Sequence, residues 1–295
     1  MSYELVVPAS TPPSWRALRD GIGLPELRAL PDEPGGEDWP AGGLRLCRAG
    51  LSTRTTDVDW KDGKLTIETL ALASPDDFEL ALRVAETAAE LAGAATIHAD
   101  YFGDIQIGEL RTLHPADLMR EQAESGTSAL VKLVNEGRGT ISIPGPNRSC
   151  EIGPRLLAEL EAAGPPETLV ERVLATMRRV QWHVPAGFRD AGVFASGGNG
   201  NGNGNGNGDG EGARQTRFAV WIGEENLVLP HVDYVALRVT DGEIVIVPYA
   251  EVTRLAGAHA TLLDESQLLV RAMGGDEWQA VVARARLVAK SPPKK

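Results

Sequence analysis

The feature that most constrains this chain is a run of Asn-Gly dipeptides, five in succession from Asn199 to Gly208, inside the tract Gly197–Gly212. The tract has no apolar side chain to bury, and its glycines lose maximal backbone entropy on ordering. It is therefore read as a flexible, solvated segment, 196–213, that cuts the chain into a long part (1–195) and a short part (214–290), with a disordered tail at 291–295.

Two organisations follow. In one, the tract links independent domains and spans roughly 20–25 Å at root mean square. In the other, it is the enlarged tip of a hairpin, with Gly192-Val193-Phe194-Ala195 and Thr216–Ile222 as the two strands. Doubling a loop adds only about 0.6 kcal/mol. The short part is small for a free-standing core, so we expect it to complete the fold of the first.

With 42% hydrophobic and 24% charged residues over 295 positions, the chain can build a core without disulfides or metals. The start, Met1-Ser2-Tyr3-Glu4, has no basic leader, and no apolar run reaches membrane-spanning length. These features lead us to expect a soluble, cytoplasmic protein. The Ala, Arg and Gly richness suits a GC-rich bacterial coding sequence. Residues 1–195 carry 19 Lys and Arg against 29 Asp and Glu, whereas 213–295 carry 10 of each. An acidic surface repels phosphate backbones, so nucleic-acid binding is disfavoured.

Local signals predict an α+β fold, with antiparallel hairpins packed against helices. Thr53–Trp60 and Leu65–Leu72 flank Asp62-Gly63, and Val235–Thr240 and Glu243–Val247 flank Asp241-Gly242; both dipeptides favour tight hairpin turns. Tyr3–Val7, Leu44–Ala49, Thr96–His98, Ile105–Leu110, Thr140–Ile143 and Ser149–Ile152 read as further strands. Ser74-Pro75-Asp76-Asp77 opens a helix whose apolar stripe runs from Phe78 to Ala92 before Gly93. Other helices are expected after a cap at Ser10 or Thr11, over Pro115–Asn135 with a break near Gly126, and over Pro154–Ala163 and Pro166–Val180. In the short part they are expected over Thr253–Ala258, Glu265–Ala272 and Asp276–Val288.

No catalytic set emerges. His98-x-Asp100 and His231-x-Asp233 each place an imidazole and a carboxylate two residues apart, which on a strand puts them on one face. Either pair could act as base and orienting group, and the four together (His98, Asp100, His231, Asp233) have the right donor types for a metal. Asp57-Val58-Asp59 alternates carboxylates but lacks a calcium-loop pattern. Around Gly145–Arg155, Pro154 opens a helix at Gly153 between Arg148 and Arg155, a place that attracts anions. There is neither a phosphate-binding loop nor a Gly-x-Ser-x-Gly elbow. Cys47 and Cys150 read as small buried hydrophobes. Trp39, Trp60, Trp182 and Trp221 fall near turns or strand ends and could mark an interface. We expect no cofactor. The functional expectation is a non-enzymatic interaction factor (adaptor, inhibitor or immunity type) that recognises a protein partner through its acidic part. The alternative is an anion-binding protein or enzyme using Arg148 and Arg155 with His98 or His231.

Overall fold

The computed structural model describes residues 2–30, 34, 38–196, 215–239 and 242–290, with the side chain of Lys290 left aside. The Asn-Gly tract, Asp241 and the tail 291–295 lie outside these residues. The fold is mixed α+β, rich in antiparallel sheet. The chain divides into two compact units, Met1–Val184 and Pro185–Lys295, so residues 185–196 group with the C-terminal unit rather than with residues 1–195.

The first unit runs β1 (Tyr3–Pro8), α1 (Trp15–Ile22), β2 (Leu27–Leu30), β3 (Leu44–Arg48), β4 (Thr56–Lys61), β5 (Lys64–Thr69), α2 (Pro75–Ala92), β6 (Thr96–Ala99) and β7 (Gly103–Gln106). It continues through α3 (Leu110–Leu113), α4 (Ala116–Leu133), β8 (Ile141–Ile143), β9 (Cys150–Ile152), α5 (Pro154–Ala162) and α6 (Leu169–Trp182). Seven strands form one antiparallel sheet in the order β2-β3-β4-β5-β1-β6-β7, and β8 and β9 form a separate hairpin.

Helix α2 begins where its local chemistry dictates. Ser74 caps it, Asp77 closes the capping box, Pro75 occupies the first turn, and Gly93 ends it at φ 66°. Its apolar stripe, including Phe78, Ala81, Ala85 and Ala88, packs against β1, β3 and β5. Helix α1 lies close beside it: a Cβ on Gly21 would sit 2.4 Å from Thr87 Cγ2. The β4–β5 turn takes the form its Asp-Gly dipeptide favours, with Asp62 at φ 52° and Gly63 at φ 76°.

Two expectations are corrected, and one strand is unforeseen. The cap of α1 is Ser14, whose Oγ accepts from Ala17 N, so Pro12 and Pro13 precede the helix instead of opening it. Helix α4 runs unbroken through Gly126, where the missing Cβ lets the helix approach the Leu72 backbone; a Cβ there would lie 3.0 Å from Leu72 N. Strand β2 carries no alternation long enough to announce it, and forms by pairing with β3.

The second unit contains β10 (Phe188–Asp190), β11 (Val193–Ser196), β12 (Thr216–Ile222), β13 (Asn226–Leu229), β14 (Tyr234–Arg238), β15 (Ile244–Pro248), α7 (Val252–Ala256), β16 (Ala260–Leu262), β17 (Leu268–Val270) and α8 (Gly275–Lys290). They make two four-stranded sheets, β10-β13-β17-β16 and β11-β12-β14-β15. The helix expected over Glu265–Ala272 is instead a turn followed by β17, which pairs with β13 and β16 on opposite edges. The ladder partners, remote in sequence, override the local periodicity. Strands β11 and β12 pair antiparallel with Ser196 opposite Thr216, so the Asn-Gly tract connects two paired strands of one unit.

Buried polar bonding ties the first unit together. Asp77 is fully buried, and its Oδ2 accepts from Ser74 N (2.7 Å), Ser74 Oγ (2.8 Å), Thr53 Oγ (2.9 Å) and Thr53 N (3.2 Å). Removing the carboxylate would strand the Ser74 and Thr53 amides, while the Thr53 hydroxyl keeps the Leu72 carbonyl 3.0 Å away. Asp77→Ala should destabilise the first unit by about 3 kcal/mol or more, read by denaturant unfolding. Replacing 198–213 with a single Asn-Gly turn should leave the β11–β12 pairing intact. Because closure entropy varies only with the logarithm of loop length, it should shift the second unit's stability by no more than about 2 kcal/mol. Loss of the β11–β12 amide cross-peaks by NMR would contradict that connection.

Candidate functional site

The histidine–carboxylate pairs do not form as spacing suggests. Strand β6 ends at Ala99 and the chain turns at Tyr101, φ 68°. Asp100 therefore turns back to accept from Glu4 N at 2.9 Å, while His98 Nδ1 lies 2.9 Å from Asp104 Oδ1, its cross-strand neighbour. His231 packs edge-on against Tyr249, with ring centroids 5.3 Å apart. Asp233 Oδ2 accepts from Arg217 N at 2.8 Å and pins the entrance of β14 to β12. His98 and Asp100 belong to the first unit, His231 and Asp233 to the second. Among the described residues, no three His, Cys, Asp or Glu side chains group as a metal site.

The arginines are likewise engaged. Arg148 donates to the Val180 carbonyl at the C-terminal end of α6, while Gln181 Oε1 accepts from Asn147 N (2.9 Å) and Arg148 N (3.1 Å). Arg155 pairs with Glu159 at 2.6 Å, one turn along α5, and Gly153 caps that helix through backbone alone. The stretch thus locks the β8–β9 hairpin to α6, with Arg148 engaged at the end of α6 and Arg155 by Glu159. Asp57 and Asp59 lie in β4, with Arg45 3.7 Å from Asp57. Both cysteines are buried and neither forms a disulfide, and burial pushes the Cys47 thiol up to about 12. The tryptophans serve packing: Trp39 and Trp60 lie against the first core, Trp182 Nε1 donates to Ser52 O (2.6 Å), and Trp221 meets Trp278 edge-on at 5.3 Å.

The surface that no internal role explains is one face of the β11-β12-β14-β15 sheet. Alternation along β12 sends Ala219 and Trp221 inward, where they join Val235, Leu237, Val245 and Val247 in the second core beneath α8. The opposite face is also apolar. Cross-strand register aligns it in rows: Phe194, Phe218, Tyr234 and Pro248; then Val220, Ala236 and Ile246; then Ile222, Arg238 and Ile244. Phe194 is 48% exposed, Ile246 45% and Ile244 61%. The aromatic rings stack along their row, Phe194 on Phe218 at 5.1 Å and Phe218 on Tyr234 at 5.6 Å. Rings stacked on each other turn edges outward, so the row is an apolar ridge rather than a flat platform for a planar ligand. Ala236 is buried yet lies outside the core cluster, shielded by its row neighbours.

Pro248 also borders an open cleft of about 480 Å³ lined by His231, Asp233, Tyr249, Thr253, Glu265 and Ser266. Tyr249 is committed there: its hydroxyl bonds to the Ser266 and Leu229 carbonyls, and burial raises its phenol above the ordinary range. No helix among the described residues is long and apolar enough to cross a membrane. No family model, curated protein or solved structure matches the chain.

Sequence reading passed over His114. Its Nδ1 lies 2.7 Å from the Leu110 carbonyl, which can only accept, so the proton sits on Nδ1 and Nε2 accepts from the Tyr3 hydroxyl. Tyr3 and Phe102 pack edge-on against the ring. Burial, with Arg111 nearby, lowers the imidazole pKa below its usual 6.5. The neutral ring belongs to the fold, and the unfolded chain binds the proton first as pH falls. Stability of the first unit should therefore be full above about pH 6.5 and decline as pH drops toward 5. His114→Phe should flatten that part of a melting-temperature profile while lowering the whole curve.

Proposed function

We propose that this chain is a protein-interaction factor whose contact surface is the outer face of the β11-β12-β14-β15 sheet, and that another polypeptide occupies it. The supporting observation is three aligned rows of side chains, all apolar except Arg238, carried on a sheet whose other face already holds the core. Large exposed apolar patches mark association sites, because water is released when they are covered. Aromatic side chains add contact area at little entropic cost, which suits Phe194, Phe218 and Tyr234 to the centre of such a contact. Three of the polar candidates are committed elsewhere: Arg148 to a helix end, Asp233 to a strand entrance, His114 to Tyr3. The acidic balance of residues 1–195 acts at longer range, disfavouring nucleic acid and biasing encounter among proteins.

The test is paired capture from native cells with full-length wild type and with Ile246→Asp. Ile246 is exposed enough for the fold to survive, which circular dichroism would verify. We expect a stoichiometric polypeptide on wild type, reduced at least about tenfold on the variant, as a buried unpaired carboxylate demands. Identical sets of co-purifying proteins on both baits would overturn the assignment.

A further inference from the structure

Resting on that reading, we infer that the occupant is a single amphipathic α-helix that brings a carboxylate to Arg238. The first argument concerns backbone hydrogen bonds. A sheet face presents side chains, whereas its backbone N–H and C=O groups lie in the sheet plane. A segment laid on the face must satisfy its own backbone groups while losing water, and a helix does so internally.

Size is the second argument. Four strands span about 14 Å between their outer axes, and the three rows cover about 13 Å along the strands. A helix with side chains is about 10–12 Å wide, so the patch holds one. A self-standing dimer needs about 800 Å² from each copy, far more than this footprint, and two copies of a chain with net charge -12 repel. The chain's own Gly197–Gly212 tract holds only Gly, Asn, Asp and Glu, and has nothing apolar to lay on the rows.

Charge is the third. Arg238 is exposed in the last row, opposite Ile222 on one side and Ile244 on the other. Among the described residues it has no ion pair; Glu243, one residue before Ile244, is bonded to Arg286. A cation among aliphatic groups becomes costly once a partner excludes water, unless that partner supplies a carboxylate. The expected helix therefore carries apolar residues at i, i+3 or i+4, and i+7, with Asp or Glu flanking the stripe at the Arg238 end.

The occupant's periodicity can be read directly. Random peptides about 16 residues long, some four helical turns, are selected on the full-length chain and counter-selected on Ile246→Asp. We expect helical spacing of apolar residues with an acidic flank. The consensus peptide should bind wild type at least about tenfold more tightly than its Glu→Lys version, and Arg238→Glu should reverse that order. Period-two or proline-rich consensus sequences, or equal binding of the Glu and Lys peptides, would overturn the helix. Self-association in sedimentation that Ile246→Asp abolishes would also overturn it, while leaving the face as a protein contact. If neither peptides nor cellular proteins distinguish wild type from Ile246→Asp, both readings fall.

Discussion

The short segment Leu51–Thr53, between β3 and β4, holds the first unit together. Asp77 receives the Thr53 amide and hydroxyl from within the capping box of α2. Trp182 Nε1 and Arg178 Nε, both on α6, donate to the carbonyls of Ser52 and Leu51 at 2.6 and 2.9 Å. Ser52 Oγ in turn accepts from Arg48 N at the end of β3. One buried stretch of polar backbone thereby joins the sheet, the helix across it and a helix more than a hundred residues downstream. These groups are satisfied only when all the elements are in place, so each bond depends on the others.

The second unit follows a different logic. Its two sheets and α8 share a core centred on Trp221 and Trp278, and Gly223 makes that approach possible: a Cβ there would lie 2.1 Å from the Trp278 ring. The core consumes one face of β11-β12-β14-β15 and leaves the other apolar. A sheet covered on both sides reads as continuous apolar strands, and one open to water reads as alternation. Strands β12, β14 and β15 have the first composition in the second situation, and the interaction reading rests on that mismatch.

Much of the first unit is legible locally. Ser74-Pro75-Asp76-Asp77 writes the start of α2 within four residues, and Asp62-Gly63 writes a turn, because capping and left-handed backbone are local effects. The failures share a cause. Leu268-Leu269-Val270 lies in a segment read as helix, but β13 and β16 supply its ladder. His98 and Asp100 look like a pair until the turn at Tyr101 sends them to different partners. Arg148 looks free for an anion until the end of α6 arrives.

The sequence alone determined the α+β class, the hairpin turns, the capped α2 and the location of a tract with nothing to bury, since each depends on residues within a few positions of one another. Tertiary structure decided that this tract joins two paired strands, that Arg148, Asp100 and Asp233 are spent on backbone groups while His98 and Arg155 pair with other carboxylates, and that Phe194, Phe218, Tyr234, Ile244 and Ile246 share one exposed face. A strand's pattern says which residues share a side. Only the elements packed around it decide which side is covered, because burial is set by neighbours that are remote in the chain.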